Sequence, residues 1–312
     1  MKILFYGAGI IGSVYALKLF EIGCNVTLLA RDARLQFLRA HGVMLNNISI
    51  NEAVSLKVPV TDKLNENDKY DLIIVTVRLE QLKEVVPFLK KNKYSPCILF
   101  MLNNPDDMDY LTNELSDKKI LLGFPGIGGT CHQEYIEYVQ IKQQVTTLGN
   151  IEGSVDDKIK ELKIMFQKAG FKTAICRNMQ AWLKTHAVFI SCISAAIIKE
   201  DGRSVQLAKN KSGVREMVIA VREGFNALKS LGIPVIPVNI KTIFLVMPLW
   251  FSVRYWQKSL QGETGTLAIA PHVNAAKEEM QLVAEKVLQI MHSSPGKTPT
   301  LEKLLSEFTG LK

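Results

Sequence analysis

The sequence predicts an α/β domain followed by an all-helical one, and three observations carry that prediction. The chain opens on an apolar strand, Lys2-Ile3-Leu4-Phe5-Tyr6, which runs straight into Gly7-Ala8-Gly9-Ile10-Ile11-Gly12 and an apolar-periodic helix from Ser13 to Ile22. Strand and helix signals then alternate through the first half, the rhythm of a parallel sheet with right-handed crossovers. Beyond Asn178 the strand signals stop, and the remainder to Lys312 reads as helices parted by Gly, Pro and Ser breaks. A chain of 312 residues has room for two domains of ordinary size. The change of texture places them at 1–177 and 178–312.

The opening strand, loop and helix form a dinucleotide fingerprint in its proper context, and each glycine has a reason to be there. Gly7 permits a tight strand-to-helix turn, and Gly9 lets the backbone approach a pyrophosphate with no Cβ in the way. Gly12 lets the helix lie close on the sheet. The N–H groups freed at the helix start, backed by the positive end of its dipole, then hold the phosphates. Gly7, Ala8, Gly9, Ile10, Ile11 and Gly12 are therefore expected to bind cofactor, in a Rossmann-type domain.

Which dinucleotide follows from the ends of the next strands. Asn25-Val26-Thr27-Leu28-Leu29-Ala30 leads into Arg31, where an NAD-preferring site would carry Asp or Glu on the ribose hydroxyls. A carboxylate there would repel a 2′-phosphate, whereas a guanidinium grips it with paired, charge-assisted hydrogen bonds. Asp32 follows, and one residue along it is expected to point away. A second cation, Arg78, ends the run Asp71-Leu72-Ile73-Ile74-Val75-Thr76-Val77. Both arginines sit at carboxyl ends of strands, where open α/β sheets bind ligands, and together they favour NADP over NAD.

The remaining elements follow in order. A helix is expected over about Leu79 to Lys91, a strand over Cys97 to Leu102 broken by Asn103-Asn104-Pro105, and a helix over Asp109 to Leu115. Lys119 to Gly123 is a strand feeding the loop Phe124-Pro125-Gly126-Ile127-Gly128-Gly129-Thr130, which lacks the Lys-Ser/Thr of a triphosphate-binding loop. Tyr138 to Leu148 reads as further, antiparallel strand, Val155 to Ala169 as helix, and Thr173 to Cys176 as the last strand. In the second half, Asn178 can cap a helix to about Lys199, and another covers roughly Gly213 to Leu231. Others are expected over Ile240 to Leu260 with a kink at Pro248, over Pro271 to Met291, and from Thr298-Pro299.

Composition excludes several classes. The chain is 47% apolar and 22% charged, as in globular proteins. Its net charge of +8 suits an anionic cofactor and an acidic substrate, but no dense Lys/Arg block or aromatic-basic alternation points to nucleic acid. Five cysteines, an odd number with no CxxC pair, argue for free thiols in a reducing cytoplasm and against a disulfide framework or zinc site. The apolar N-terminus is interrupted by the glycine loop and needed in the sheet, so it is not read as a signal peptide. The most apolar stretch, Ile243 to Val253, falls well short of the ~20 residues that span a bilayer, so it is read as a buried helix.

The helix after Asn178 carries the side chain of greatest chemical interest. At helical spacing Lys184 shares a face with Val188, Ser191 and Ala195, which would desolvate it partly and draw its pKa toward the range useful for proton transfer. Ketone reduction needs hydride at the carbonyl carbon and a proton or strong dipole at the oxygen. Lys184 could supply the second; the competing reading is a lysine snorkelling into solvent. His186, on the opposite face beside Ile190, reads as a packed histidine, Cys192 as packing or cleft lining, and His272 as a substrate contact or an exposed helix-start residue. Neither histidine has the spaced partners of a metal site.

The chain resembles the ketopantoate reductase (2-dehydropantoate 2-reductase) family across essentially its whole length. The matching segments are Gly7–Gly12, Leu29-Ala30-Arg31, Thr76-Val77-Arg78, Asn103 after its strand, and Trp182-Leu183-Lys184 opening the second domain. The resemblance implies NADPH-dependent reduction of a branched 2-oxo acid in an interdomain cleft, as in pantothenate biosynthesis, by a cytoplasmic, metal-free enzyme. It implies that Lys184 donates the proton and that Asn103 holds the nicotinamide–substrate region. Arg31 and Arg78 would bind the 2′-phosphate, with Gln81 beside the cofactor. The helical domain would serve substrate binding and dimerisation; whether a homodimer forms stays open, and neither nucleic acid nor membrane is expected as partner.

The departures are as informative. Where the family carries two asparagines after the lysine, this chain has Val188 and Cys192. It has Asn103-Asn104 in place of Asn-Gly. The late Thr-Glu-Ile segment reads Gly265-Thr266-Leu267-Ala268-Ile269, without an acid, leaving Glu263 as the nearest carboxylate and His272 as another replacement contact. A site with fewer polar groups should prefer a more apolar or differently placed substrate than ketopantoate. Two other readings stay in play: a non-catalytic NADP-binding sensor, and a same-fold oxidoreductase with an unrelated substrate.

Overall fold

A computed structural model describes residues 1–142 and 144–310. Contacts divide the chain into two compact units, one of residues 1–102 and 107–179, the other of 103–106 and 180–312. The short loop 103–106 thus packs with the helical unit.

The first unit is built on an eight-stranded sheet. Its strands and helices in chain order are β1 (Lys2–Tyr6), α1 (Ile10–Glu21), β2 (Asn25–Leu29), α2 (Asp32–His41), β3 (Val43–Asn47), β4 (Glu52–Leu56), β5 (Val60–Thr61), β6 (Leu72–Val75), α3 (Leu82–Lys91), β7 (Cys97–Met101), α4 (Asp109–Glu114), β8 (Lys119–Phe124), β9 (Ile127–Cys131), β10 (Ile136–Gln140), β11 (Thr146–Asn150), α5 (Asp157–Lys168) and β12 (Thr173–Ile175). The main sheet runs β12-β11-β8-β7-β6-β1-β2-β5, parallel except where β11 turns against β8. Its central strands are apolar at nearly every position, as strands covered on both faces must be: Leu72, Ile73, Ile74 and Val75 of β6 are all 0% exposed. With β1 paired to β2 on one side and β6 on the other, the chain order reverses around β1, and the glycine loop leaves the sheet there.

A second, four-stranded sheet, β4-β3-β10-β9, is absent from the sequence reading. The single strand expected over Tyr138 to Leu148 divides into β10 and β11, which belong to different sheets; Gln143 of that stretch lies outside the described residues. Val43, Leu45, Ile136 and Tyr138 face the core and tie this small sheet to α1 and α2. Tyr15 of α1 anchors the same region, its hydroxyl 2.5 Å from Thr146 Oγ1 and accepting from the Gly126 N–H at 3.2 Å.

The helical unit contains α6 (Met179–Ile198), α7 (Ser204–Lys209), α8 (Lys211–Ser230), α9 (Val238–Lys241), α10 (Leu249–Gln261), α11 (Ala270–Ala275), α12 (Lys277–His292) and α13 (Pro299–Thr309). Two π-helical turns interrupt them, Thr242–Val246 and Thr264–Ile269. The most apolar long helix is α6, not the Ile243–Val253 stretch. By length and composition α6 could cross a membrane, but 78% of its apolar window is buried inside the fold, so it is a core helix. The buried helix expected over Ile243 to Val253 is instead a π turn, a break at Met247-Pro248, and the start of α10. Only Phe244, Ser252 and Val253 of it are buried, while Val246 and Trp250 are 66% and 69% exposed. The Pro271–Met291 helix likewise divides into α11 and α12.

Candidate active site

The glycine loop is shaped by the contacts that each glycine makes. Gly7 has φ +119°, a backbone that favours glycine, and its N–H donates to the Leu29 carbonyl at 3.3 Å. A Cβ on Gly12 would stand 1.9 Å from the Gly7 carbonyl oxygen and 2.6 Å from Thr76 Oγ1. The α1 start can therefore lie against the ends of β1 and β6 only as glycine. Thr76 Oγ1 donates to the Gly7 carbonyl at 3.0 Å and fixes the turn. Gly9 is different: a Cβ there would meet nothing within 4 Å. No packing demands that glycine, and what its absent side chain leaves is open approach to the helix start.

That start is made for an anion. α1 has Gly9 at its N-cap with no side chain capping it, and its first turn holds no acid. Its leading N–H groups and the positive end of the helix dipole thus face the space that Gly9 leaves open. The residues present fit the pyrophosphate of a dinucleotide. One surface hollow of this unit, about 560 Å³, is lined by Met1, Asp71, Cys97, Lys119, Lys158 and Glu161. It lies at the amino ends of β1, β7 and β8, away from this loop.

The two strand-end arginines flank the loop as separate features. Arg31 is exposed at the N-terminal boundary of α2, and its charge reaches the Tyr6 phenol, which burial pushes up in pKa and Arg31 draws down. Asp32 follows at φ +50°, a left-handed backbone at the first residue of the helix. Arg78 is about half exposed, 4.0 Å from Glu80. Gln81 closes the short 3₁₀ turn Leu79–Gln81, where its Oε1 accepts the Arg78 N–H at 3.2 Å. Gln81 thus has a structural task in addition to any cofactor contact.

One charged group near the loop escaped the sequence reading. Arg34, three residues after Arg31, donates from Nε to the Ala8 carbonyl at 3.4 Å, with the Phe37 ring 5.7 Å from its guanidinium carbon. The available signal was its spacing from Arg31, which puts both at the start of one helix.

In the helical unit, Lys184 is half-buried on the first turns of α6. Asn103 is half-buried in the loop that packs with this unit, next to buried Asn104, whose Oδ1 accepts from the Asp106 N–H at 3.1 Å. Asp106 in turn pairs with Lys286 of α12 at 2.5 Å, tying the loop to the helices.

The candidate substrate residues change character. Val188 and Cys192 are both 0% exposed, so neither offers a surface to a ligand. A Cβ on Gly224 of α8 would stand 2.5 Å from Val188 Cγ1 and 2.7 Å from Leu301. Val188 is therefore a helix-packing residue, and burial pushes the Cys192 thiol far up in pKa, with Glu223 adding to it. Glu263 is exposed beside the π turn Thr264–Ile269. His272 is half-buried in α11, not an exposed helix-start residue, and lies near enough to His186 to disfavour its charge. His186 stacks on Trp182 with centroids 5.3 Å apart, and burial is the larger cause holding its pKa down at about 3.

Taken together, the sheet order, the open glycine loop and the uncapped α1 define a dinucleotide-binding α/β unit, followed in this chain by a helical one. The N-terminal unit belongs to the ketopantoate reductase PanE/ApbA family, whose model matches residues 3–153. That family and the relatives matched are NAD(P)-dependent oxidoreductases. The chain is 26% identical over 202 residues to a 2-dehydropantoate 2-reductase of Pyrococcus horikoshii, a match covering 62% of this chain and 62% of that protein's length. Its fold is that of a 2-dehydropantoate 2-reductase of Geobacter metallireducens, with TM-score 0.80, 13% identity and 100% of both chains covered. A D-mandelate dehydrogenase, solved with NADH and anilino(oxo)acetate, shares the fold at TM-score 0.79 and 18% identity, over 99% of this chain and 97% of the other.

Proposed function

We propose that this chain reduces a 2-oxo acid to its 2-hydroxy acid with NADPH, and that Lys184 donates the proton. The observation that carries the cofactor half is the open space at Gly9 in front of the uncapped α1 start, which suits a pyrophosphate. Arg31 and Arg78 favour a 2′-phosphate over a bare ribose. Bound NADPH supplies the hydride that reaches the substrate carbonyl carbon. The Lys184 ammonium holds the proton that passes to the carbonyl oxygen as negative charge grows there, and Asn103 orients the reacting groups by its amide.

For the substrate, we infer a 2-oxo acid less polar than ketopantoate. Val188 and Cys192 are core residues, and the π turn Thr264–Ile269 offers no carboxylate. Each missing polar contact costs ~1 kcal/mol if unreplaced, so three together lower kcat/KM by roughly a hundredfold. The D-mandelate dehydrogenase of the same fold, which holds anilino(oxo)acetate, supports an aromatic acid. The test is NADPH consumption with ketopantoate beside aliphatic and phenyl-bearing 2-oxo acids. Ketopantoate should trail the best of them roughly a hundredfold. A ketopantoate kcat/KM well above the others overturns this substrate reading and makes Glu263 and His272 the first replacement contacts to examine. The missing polar contacts also suit a cofactor-binding sensor, which would bind NADPH and turn over none of the acids.

A further inference from the structure

Arg34 carries an unbalanced charge beside the cofactor loop. Both of its outer nitrogens, Nη1 and Nη2, are covered from solvent and have no hydrogen-bond partner. Among the described residues no carboxylate lies within ion-pair distance of it; burial lowers its pKa, and Cys131 at the end of β9 offsets that in part. A covered cation with two idle donors is an expensive arrangement unless an anion completes it. Its single bond, from Nε to the Ala8 carbonyl, is long at 3.4 Å. That carbonyl also accepts the Ser13 hydroxyl at 3.1 Å, so it keeps a partner if Arg34 turns away.

We propose that Arg34 is a further guanidinium for the phosphate monoester on the cofactor's adenosine ribose, acting with Arg31 beside the contribution already proposed for Arg78. The two residues stand at i and i+3 on the start of α2, where neighbouring side chains reach the same space. The pyrophosphate has its own donors at the start of α1, whereas a ribose phosphate would otherwise rest on exposed arginines alone. Arg34 rests on the Ala8 carbonyl and on Phe37. With the phosphate present it gives up the one long bond and makes paired, charge-assisted ones in its place. The inference rests on the NADPH reading, and it makes Arg34 a residue that sets NADPH preference without touching the reacting atoms.

The test is titration of the full chain with NADPH, NADH and adenosine 2′,5′-bisphosphate. Arg34→Met, which keeps an apolar stem over Phe37, should weaken NADPH and the bisphosphate roughly tenfold while leaving NADH within about twofold. Arg34→Lys should recover part of the loss, and a thermal melt of each variant checks folding. If Arg34→Met leaves NADPH affinity unchanged, the proposal is overturned. Equal weakening of NADPH and NADH overturns it as well, since that marks a pyrophosphate contact or a structural role. Arg31→Ala separates this from failure of the cofactor reading. A parent that binds NADPH and NADH alike, unmoved by Arg31→Ala, overturns both. A preference that Arg31→Ala narrows and Arg34→Met does not overturns only the role of Arg34.

Discussion

The glycine loop after β1 and the lysine-bearing face of α6 carry the two roles proposed above, cofactor binding and proton donation, and they are written in different languages. The loop is specified by backbone geometry: Gly7 needs its positive φ, Gly12 needs to lack a Cβ, and Gly9 leaves space that no packing requires. The α6 face is specified by side chains on a helix that is apolar almost all round, so its periodicity does not separate a ligand face from a packing face. Val188 and Cys192 share a helical stripe with Lys184, yet they are fully buried while Lys184 is half-buried. A site coded in the backbone is legible from sequence because few residues can do the job. A site coded in side chains is legible only once the partners of each face are known.

The largest effect should come from the two loop glycines, which separate folding from binding. Gly12→Ala places a methyl 1.9 Å from a backbone oxygen that cannot move without opening the turn. It should destabilise the protein by about 3 kcal/mol or more and abolish NADPH binding. Gly9→Ala meets nothing within 4 Å. It should melt like the parent and weaken NADPH by roughly tenfold or more, about 1.4 kcal/mol. If Gly9→Ala binds NADPH as the parent does, the phosphates do not approach this backbone and the loop is only a turn.

Next in size is Lys184. Lys184→Ala should reduce turnover roughly 100-fold, the scale of a lost general acid, with NADPH affinity unchanged. Turnover within a few-fold of the parent would return Lys184 to the class of snorkelling surface lysines. A fall in NADPH affinity of the same size would mean that the α6 lysine serves binding instead of proton transfer.

The same contrast explains what the sequence told and what it hid. Most of the main sheet was legible because β1, β2, β6 and β7 are short apolar runs between glycine, proline and charged punctuation, whereas the two-residue β5 went unpredicted and β11 was merged with β10. The small sheet was not: β3 and β4 are short and carry Asn46, Asn47, Glu52 and Ser55, so they look like loop. Ile243 to Val253 looked buried because composition records apolarity but not direction. The π turn and the break at Met247-Pro248 rotate Val246 and Trp250 outward. Arg34 stayed invisible because nothing in its spacing says that its guanidinium lacks a partner; only the packing of α2 on the loop shows that.

The smallest expected effect asks whether the other side of α6 is packing or chemistry. His186 stacks on Trp182 and meets Phe189 edge-on at 6.3 Å, an arrangement that suits a neutral ring. Burial, with a smaller push from His272, holds its pKa at about 3 against an ordinary 6.5. Above pH ~6.5 the ring is neutral in both folded and unfolded chains and adds no pH dependence. As pH falls below that, the unfolded chain takes up a proton that the fold refuses, so stability drops by up to ~1.4 kcal/mol per pH unit until the folded pKa is reached. Urea unfolding at pH 7 and pH 5 should therefore show a loss of about 1–2 kcal/mol in the parent that is missing in His186→Phe, which keeps the stack. Parallel pH curves for the two proteins would mean that His186 titrates freely and that this face of α6 is open to solvent. A slope that survives in His186→Phe and disappears in His272→Asn would assign the proton to His272. The half-buried histidine of α11 would then be the group to carry into substrate assays beside Lys184.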